Sequence, residues 1–477
     1  MTYVVPNYFI DNRYENLLKI ESDASKSGSF IGKNYTGNIS YDRYVTNSWH
    51  IISSIVTNQD INTFATIAAN DITMNTDVTP NRYALAPYND DSNSWGYYTT
   101  TSIISAGNFL ENVGYAFKRN TAGVINFEGL NRSADASTTI SYGIGTAAGW
   151  NSVGNPYPSY IPLNNNTLDN STPLNFITTN ASALDDLFEA GYIWDAATTT
   201  YVPINNTASV TRYIAPGQGF MVKSDADGGI ISITEAMQSH QSGSNDVFSR
   251  TEDTTPRIVI EISNGSLLRN TNIAYFENAT LGIDSRYDAG VYSNYAFNIY
   301  TRLLDNSNTT DLHTQALPNS NYENMVIPVG VNADSSTEIT ISISASNLPS
   351  GIMVFLEDKE QNTFTRVDDG STYATTHSSN GVDRFYVHTS FTNLTTLDVA
   401  LSNISIYSKN KTIYLNGLPR RETRITLYDL LGRVVLKDTS KDTDSHSIVV
   451  NELLVGSIYV VEIETEKGKF SKKIIIQ

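Results

Sequence analysis

Three observations predict an all-β chain. Short apolar segments alternate with a period of two, as in Glu338-Ile339-Thr340-Ile341-Ser342-Ile343-Ser344. Thr, Asn, Ser and Tyr are abundant while Lys and Glu are sparse, and Gly, Pro, Asn or Asp stand between the segments. The alternation places Ile339, Ile341 and Ile343 on one half-buried face. Arg257-Ile258-Val259-Ile260-Glu261-Ile262, Met353-Val354-Phe355-Leu356-Glu357-Asp358 and Arg384-Phe385-Tyr386-Val387-His388 read as further strands, with turns at Leu348-Pro349-Ser350-Gly351 and Asp368-Asp369-Gly370. A short helix is expected around 182–190, where Leu184, Leu187 and Phe188 recur at helical spacing. The architecture expected is a tandem series of antiparallel β-sandwich-like domains ending in a small immunoglobulin-like β-sandwich.

A length of 477 residues allows two to four domains with cores of their own, and 40% apolar with 17% charged residues fits packed domains. The lack of Cys excludes disulfides, cysteine-ligated zinc, iron–sulfur centres and thiol catalysis. A formal charge of −18 argues against a nucleic-acid partner, which needs clustered Lys and Arg. No apolar run has the length of a membrane span. Composition divides the chain. All four Trp precede residue 200, and residues 401–477 carry net +3 against −21 for the rest. The polar run His240-Gln241-Ser242-Gly243-Ser244-Asn245-Asp246 and Thr254-Thr255-Pro256 mark a junction, expected to be exposed and crossed by few contacts. The units expected are 1–19, a disordered start or the end of an upstream region; 20–245, an aromatic-rich β-domain; 256–400, a second β-sandwich; and 402–477.

The 20–245 unit reads as an internal duplication. Trp49-His50-Ile51-Ile52, Tyr83 to Tyr88, Trp95 to Tyr98 and Gly114 to Arg119 are followed by Trp150 to Gly154, Tyr192 to Asp195, Tyr201 to Ile204 and Gly217 to Lys223. The opening tryptophans lie 101 residues apart and Gly114 lies 105 before Gly219, too far for a solenoid period. Aromatic side chains beside turns are chiefly core fillers. Yet Tyr88 and Trp95, near Asn89, Asp90 and Asp91, and Trp194 and Tyr201, near Asp195, also form candidate stacking platforms for surface glycans.

Catalytic motifs are missing. The sequence contains no His-Glu-x-x-His, Gly-x-Ser-x-Gly, phosphate-binding loop or dinucleotide fingerprint, and its six His are scattered without ligand spacing. The acidic pairs Asp90/Asp91, Asp185/Asp186, Glu357/Asp358 and Asp368/Asp369 read as turn and solvent residues, because neighbours on a strand point to opposite faces. No cofactor is expected. Structural calcium stays open at Asp284-Ser285-Arg286-Tyr287-Asp288 and Thr365-Arg366-Val367-Asp368-Asp369-Gly370, neither of which has the spacing of a dedicated calcium loop.

The last 70 residues alternate strands and turns: Lys411 to Leu415, Thr423 to Asp429, Val434 to Leu436, Ser457 to Glu464 and, after the turn Glu466-Lys467-Gly468-Lys469, Phe470 to Ile476. With Leu427-Tyr428-Asp429-Leu430-Leu431-Gly432-Arg433, Leu454-Val455-Gly456-Ser457-Ile458-Tyr459 and Gly468 to Lys472-Lys473-Ile474-Ile475-Ile476, this region resembles the type A C-terminal sorting domain of type 9 secretion cargo of Bacteroidetes. Its motif residues are Tyr428, Asp429, Gly432, Arg433, Gly456, Tyr459, Gly468, Lys472 and Lys473. The resemblance implies passage through the periplasm, recognition by an outer-membrane shuttle protein and translocon, processing by sortase-like machinery, and a cell-surface or secreted destination. Gly154-Asn155-Pro156-Tyr157-Pro158, Ala215-Pro216-Gly217-Gln218-Gly219-Phe220 and Tyr322-Glu323-Asn324-Met325-Val326-Ile327-Pro328 also resemble segments that precede this tail in long flavobacterial surface proteins. Such a precursor requires an export signal, and Met1-Thr2-Tyr3-Val4-Val5-Pro6 has neither a basic start nor an apolar stretch. The chain is therefore expected to be the C-terminal part of a longer precursor. The function expected is that of a non-enzymatic exported surface region, with a glycan-binding or adhesion module and an accessory region of a secreted polysaccharide-processing enzyme as alternatives.

Overall fold

The computed structural model describes the chain apart from residues 1–7, 11–16, 145–148, 166–173, 197, 209, 241–253, 294, 306, 321, 323–324, 368–369, 391–404, 410, 419–420, 430, 442–444, 451–456, 466–467 and 477. It is all-β, with short helices at Ile61–Thr66 and Phe176–Asn180. The helix expected over 182–190 forms earlier. Asn175 caps it by accepting from Thr178 N, and by Leu184 the backbone is extended (φ −102°, ψ 146°). Leu184 and Phe188 then enter two different apolar clusters, so their spacing reflects a chain passing between cores rather than a helical face.

Two compact units emerge: Met1–Asn321 with Ile327–Pro349 and Gly370–Asp383, and Tyr322–Val326 with Ser350–Asp369 and Arg384–Gln477. The first contains one topology written twice. Strands Trp49–Ile52, Tyr115–Lys118, Leu85–Asn89 and Ser94–Trp95 lie side by side in that order, and Trp150–Gly154, Gly219–Lys223, Gly191–Asp195 and Thr200–Ile204 repeat it. The register repeats too: Trp49 faces Lys118 as Trp150 faces Lys223, and Tyr88 faces Trp95 as Trp194 faces Tyr201. Each half closes with a hairpin-like pair, Asn38–Val45 with Gly123–Asn131 and Ala136–Ile140 with Gly229–Ile233.

A buried Asn ties the short helix of each half to its last strand. Asn70 donates Nδ2–H to Phe64 O (2.8 Å) and accepts from Asn126 N (2.9 Å), while Asn180 donates to Phe176 O (2.9 Å) and accepts from Ser232 N (2.7 Å). The amide supplies donor and acceptor together, which the loose ends of a one-turn helix beside a sheet require. The halves meet where Ile52 bridges Gln218 and Val113 bridges Val153. Glycine is required there: a Cβ on Gly114 would stand 2.7 Å from Ile51 Cγ2 and 2.8 Å from Val153 O, and one on Gly219 would stand 2.3 Å from Ile51 Cγ2 and 3.2 Å from the Gly114 Cα. The inner faces bury separate cores, one around Phe64, Phe117 and Phe127 and the other around Tyr157, Phe176 and Phe220.

The same unit continues into a sheet whose strands run Val326–Asn332, Asn298–Thr301, Leu312–Pro318, Leu268–Phe276, Arg257–Ser263, Glu338–Ser346 and Thr372–Thr376. Ile339, Ile341 and Ile343 are buried on one face, as their alternation predicts. Among the strand pairs described, pairing is antiparallel except where Leu17–Ile20 joins Asn38–Val45 and Leu268–Phe276 joins Leu312–Pro318. Contacts cross the junction at 246–256, where few were expected, and residues 254–321 fall in the same compact unit as the repeat. Tyr192 Oη donates to Gly290 O (2.8 Å), Gly290 N donates to Leu187 O (2.8 Å), and Asn205 Nδ2 donates to Tyr287 O (2.9 Å). A polar run marks where the chain leaves one sheet, and says nothing about whether the next sheet packs back onto it.

In the second unit, Met353–Asp358 pairs with Thr363–Arg366 and with Gly381–Ser390. Residues 405–476 form two sheets, Ser405–Lys409, Thr412–Asn416 and Ser445–Val449 in one, and Val434–Ser440, Thr423–Tyr428, Ser457–Thr465 and Gly468–Ile476 in the other. One core draws on both, with Ile406, Ile413, Leu415 and Ile448 meeting Ile425, Leu427, Val461 and Ile463.

Candidate functional site

The outer face of the repeated sheets carries the aromatic residues singled out by sequence. In each half the cross-strand pair stands edge to face at 5.1 Å, Tyr88 with Trp95 and Trp194 with Tyr201. Three of the four belong to one cluster. Tyr88, Trp95 and Tyr201 pack around Trp150, Tyr192 and Tyr292, and the Tyr201 N–H donates to Tyr295 Oη (3.1 Å). Tyr292 is the keystone: its ring lies 4.2 Å from both Trp150 and Tyr201, while the Tyr88 hydroxyl donates to Asn93 Oδ1. Burial pushes the Tyr88 hydroxyl up to about 12 and those of Tyr201 and Tyr292 higher still. These phenols are thus neutral hydrogen-bonding groups at any physiological pH.

Trp194 meets that cluster through Tyr201 and also borders a cleft. With Trp49, Arg43, His50 and Gln218 it lines this cleft, which measures about 100 Å³. Its Nε1–H is buried and has no acceptor among the described residues. Two of the cleft's polar groups are already engaged: Arg43 Nη1 donates to Ser27 Oγ (2.6 Å), and His50 Nε2 is 2.8 Å from Thr46 Oγ1. Desolvation lowers the His50 pKa, so the imidazole is neutral at pH 7. Sequence reasoning recognised Trp49 only as the opening of a repeat. Its partnership with Trp194, 145 positions on, becomes visible only through the sheet register.

The acidic pairs are engaged by neighbours. Glu357 Oε2 meets His388 Nε2 at 2.8 Å, while the fully buried Asp358 is bound by Arg384 Nη2 at 2.7 Å. Asp185 takes Lys223 Nζ at 3.1 Å, and Asp90 accepts from Ser141 Oγ. Asp368 and Asp369 lie outside the described residues. In the 284–288 segment, Asp284 accepts from Thr280 N (2.7 Å), and Asp288 accepts from Asp284 N (2.7 Å) and Ala316 N (2.7 Å). Each of these three carboxylate oxygens thus accepts a backbone N–H, which holds the segment as a turn.

In the tail, the Tyr428–Arg433 motif is a turn built on one carboxylate. Asp429 Oδ1 accepts from Leu431 N and Arg433 N, both at 2.9 Å, and Oδ2 accepts from Arg433 Nε at 2.7 Å. Gly432 stands at φ +78°, where a side chain would be strained. The N–H groups and guanidinium of Arg433 hold the Asp429 carboxyl below its ordinary value. Tyr428 Oη donates to Glu462 Oε1 (3.2 Å), Tyr459 is buried in the core opposite Ile474, and Lys472 and Lys473 are exposed on the last strand. Gly468 opens that strand opposite Thr465; Gly456 lies outside the described residues.

Comparison with known proteins places these two regions. No curated protein matches the chain. A solved structure described as "Biofilm associated protein - BSP domain" is similar at 11% identity and a TM-score of 0.17, covering 93% of this chain and 92% of that one. Residues 402–477 match the secretion system C-terminal sorting domain, so the chain is exported by the type 9 system to the cell surface or beyond. No helix among the described residues is long and apolar enough to cross a membrane. Residues 9–388 match the family described as "Domain of unknown function (DUF8693)"; with four fifths of its length under that one model, the chain belongs to this family.

Proposed function

We propose that the chain is a non-enzymatic surface module whose 402–477 domain delivers it and whose preceding β-structure is the displayed, interacting part. The sorting domain at the C-terminus carries this reading. The engagement of Glu357, Asp358 and Asp185 by basic partners supports the non-enzymatic role, since a glycosidase needs two carboxylates facing one cleft. Cysteine-free β-structure suits a protein that must hold its core outside the cell without covalent staples. The test is deletion of residues 402–477 from the native precursor. Retention in the periplasm is expected, and undiminished surface delivery would overturn the reading.

The glycan-binding alternative narrows on the same grounds. Tyr88, Trp95 and Tyr201 are committed to the Tyr292 cluster, which leaves Trp194 as the ring beside an open cleft. An accessory role within a larger polysaccharide-processing enzyme would be met if the precursor's upstream coding region specifies a catalytic domain, which sequencing decides.

A further inference from the structure

The duplication supplies an internal template for what the Trp49–Trp194 cleft receives. Trp49 and Trp150 are counterparts by register, and so are the Ile52–Gln218 and Val113–Val153 bridges. Tyr115 faces Pro87 and Met221 faces Tyr192; continuing each ladder sets Tyr88 beside Gly114 as Trp194 is set beside Gly219. Tyr88 and Trp194 are therefore counterparts, and Trp150 with Tyr88 is the counterpart of Trp49 with Trp194. A tyrosine from outside the repeat is seated at the first of these places: the Tyr292 ring lies 4.2 Å from Trp150 and packs in one cluster with Tyr88. At the second place the protein leaves a cleft of about 100 Å³. Among the described aromatic rings, Trp49 there meets Tyr97, at 5.7 Å and tilted by 60°.

We propose that this cleft binds a phenol ring, the side chain of a tyrosine presented by a partner polypeptide, seated as Tyr292 is seated in the equivalent half. One-ring width and two indole walls suit a flat aromatic group, which gains area burial together with edge and face contacts. The equivalent place in the other half is filled by a tyrosine ring rather than by a cluster of polar groups, and that is the ground for choosing the phenol. A phenol brings one hydroxyl, which can accept from the Arg43 guanidinium on the cleft's lining, one of whose N–H groups goes to Ser27. This reading goes beyond the export assignment and does not depend on it.

The test uses the purified full chain and N-acetyl-L-tyrosinamide, followed by calorimetry and by tryptophan fluorescence excited beyond tyrosine absorption. One saturable site is expected, roughly millimolar as suits a single ring. N-acetyl-L-phenylalaninamide should bind about 3- to 10-fold more weakly through loss of the hydroxyl hydrogen bond, and methyl β-D-glucopyranoside should not bind. Trp194→Ala should abolish the site. Tyr292→Ala, which empties the template, should raise the stoichiometry from one to two. No saturable binding by the wild-type chain, binding of the glucoside in preference to the phenol, or binding retained in Trp194→Ala would each overturn the proposal. So would a folded Tyr292→Ala variant that still binds one equivalent. If Tyr292→Ala does not fold, the wild-type and Trp194→Ala titrations decide the matter.

Discussion

Gly219→Ala probes the contact that joins the two halves of the repeat. Gly219 does not occupy the left-handed region, so the substitution adds no backbone strain; the whole effect is one methyl group placed 2.3 Å from Ile51 Cγ2, 3.1 Å from Val153 O and 3.2 Å from the Gly114 Cα. A carbon–carbon approach of 2.3 Å is far inside contact distance, so strands from different halves must separate. Overpacking of this kind costs about 1–3 kcal/mol, and the upper end is expected because two of the three obstacles are backbone. Ile51 is 7% exposed, and Ile51→Ala alone costs about 2–4 kcal/mol for a buried truncation. The double variant removes the closest obstacle, so its loss should fall short of the sum by about 1–2 kcal/mol. All four tryptophans lie in the repeat, which makes fluorescence-detected urea unfolding specific to it. A loss near 2–3 kcal/mol moves the midpoint down by about 1 M. A Gly219→Ala midpoint equal to wild type, or strictly additive losses in the double variant, would refute the claim that the halves meet too closely there for a side chain.

Asn70→Ala and Asn180→Ala should each cost about 2–4 kcal/mol in the same assay, because both side chains are buried and each leaves a strand N–H and a helix carbonyl unpaired; a loss below about 1 kcal/mol in either would argue against the shared role. Burial pushes Glu189 up to about 7 despite Arg286 at 3.6 Å, and pushes Asp288 up to about 7 despite two backbone N–H donors. Both folded pKa values exceed the unfolded ones, so the native state holds extra protons between about pH 4 and 7, and stability falls as pH rises through that window, by on the order of 3 kcal/mol per group. Thermal melts should therefore be higher at pH 5 than at pH 8, with a smaller difference in Glu189→Gln and Asp288→Asn; an unchanged difference in both would exclude these groups. A protease site inserted between residues 245 and 246 should yield, on cleavage, two fragments that co-elute until denatured, since Trp150, Tyr192 and Tyr201 pack on Tyr292; separate elution in native buffer would show that this cluster does not hold them.

Local chemistry was enough for several features. The Ile339-x-Ile341-x-Ile343 alternation faces one core because successive side chains on a strand point to opposite sides. The Asp429-to-Arg433 turn is legible because every group that shapes it lies within five residues. Glu357 and Asp358, by contrast, read as turn and solvent residues, whereas both are buried on the strand Met353–Asp358 and paired with His388 and Arg384, partners that lie about thirty positions away. The duplication surfaced through its largest and smallest side chains, Trp49 with Trp150 and Gly114 with Gly219, which tolerate little substitution where they stack or where backbones touch.

Tertiary structure alone decided what those residues touch. Leu184 and Phe188 have helical spacing, yet they serve two cores because each answers to a different sheet. The composition break near 246–256 is crossed by contacts, since Gly290 and Tyr292 return to the face of the repeat about 100 residues after Tyr192. The four aromatic residues picked as stacking platforms separated into three that fill a cluster and one, Trp194, beside a cleft with Trp49. Period and propensity are properties of neighbours along the chain and fix which side chains turn inward. Which inward or outward faces then meet depends on strand register and on contacts between residues one or two hundred positions apart, and no local pattern encodes that distance.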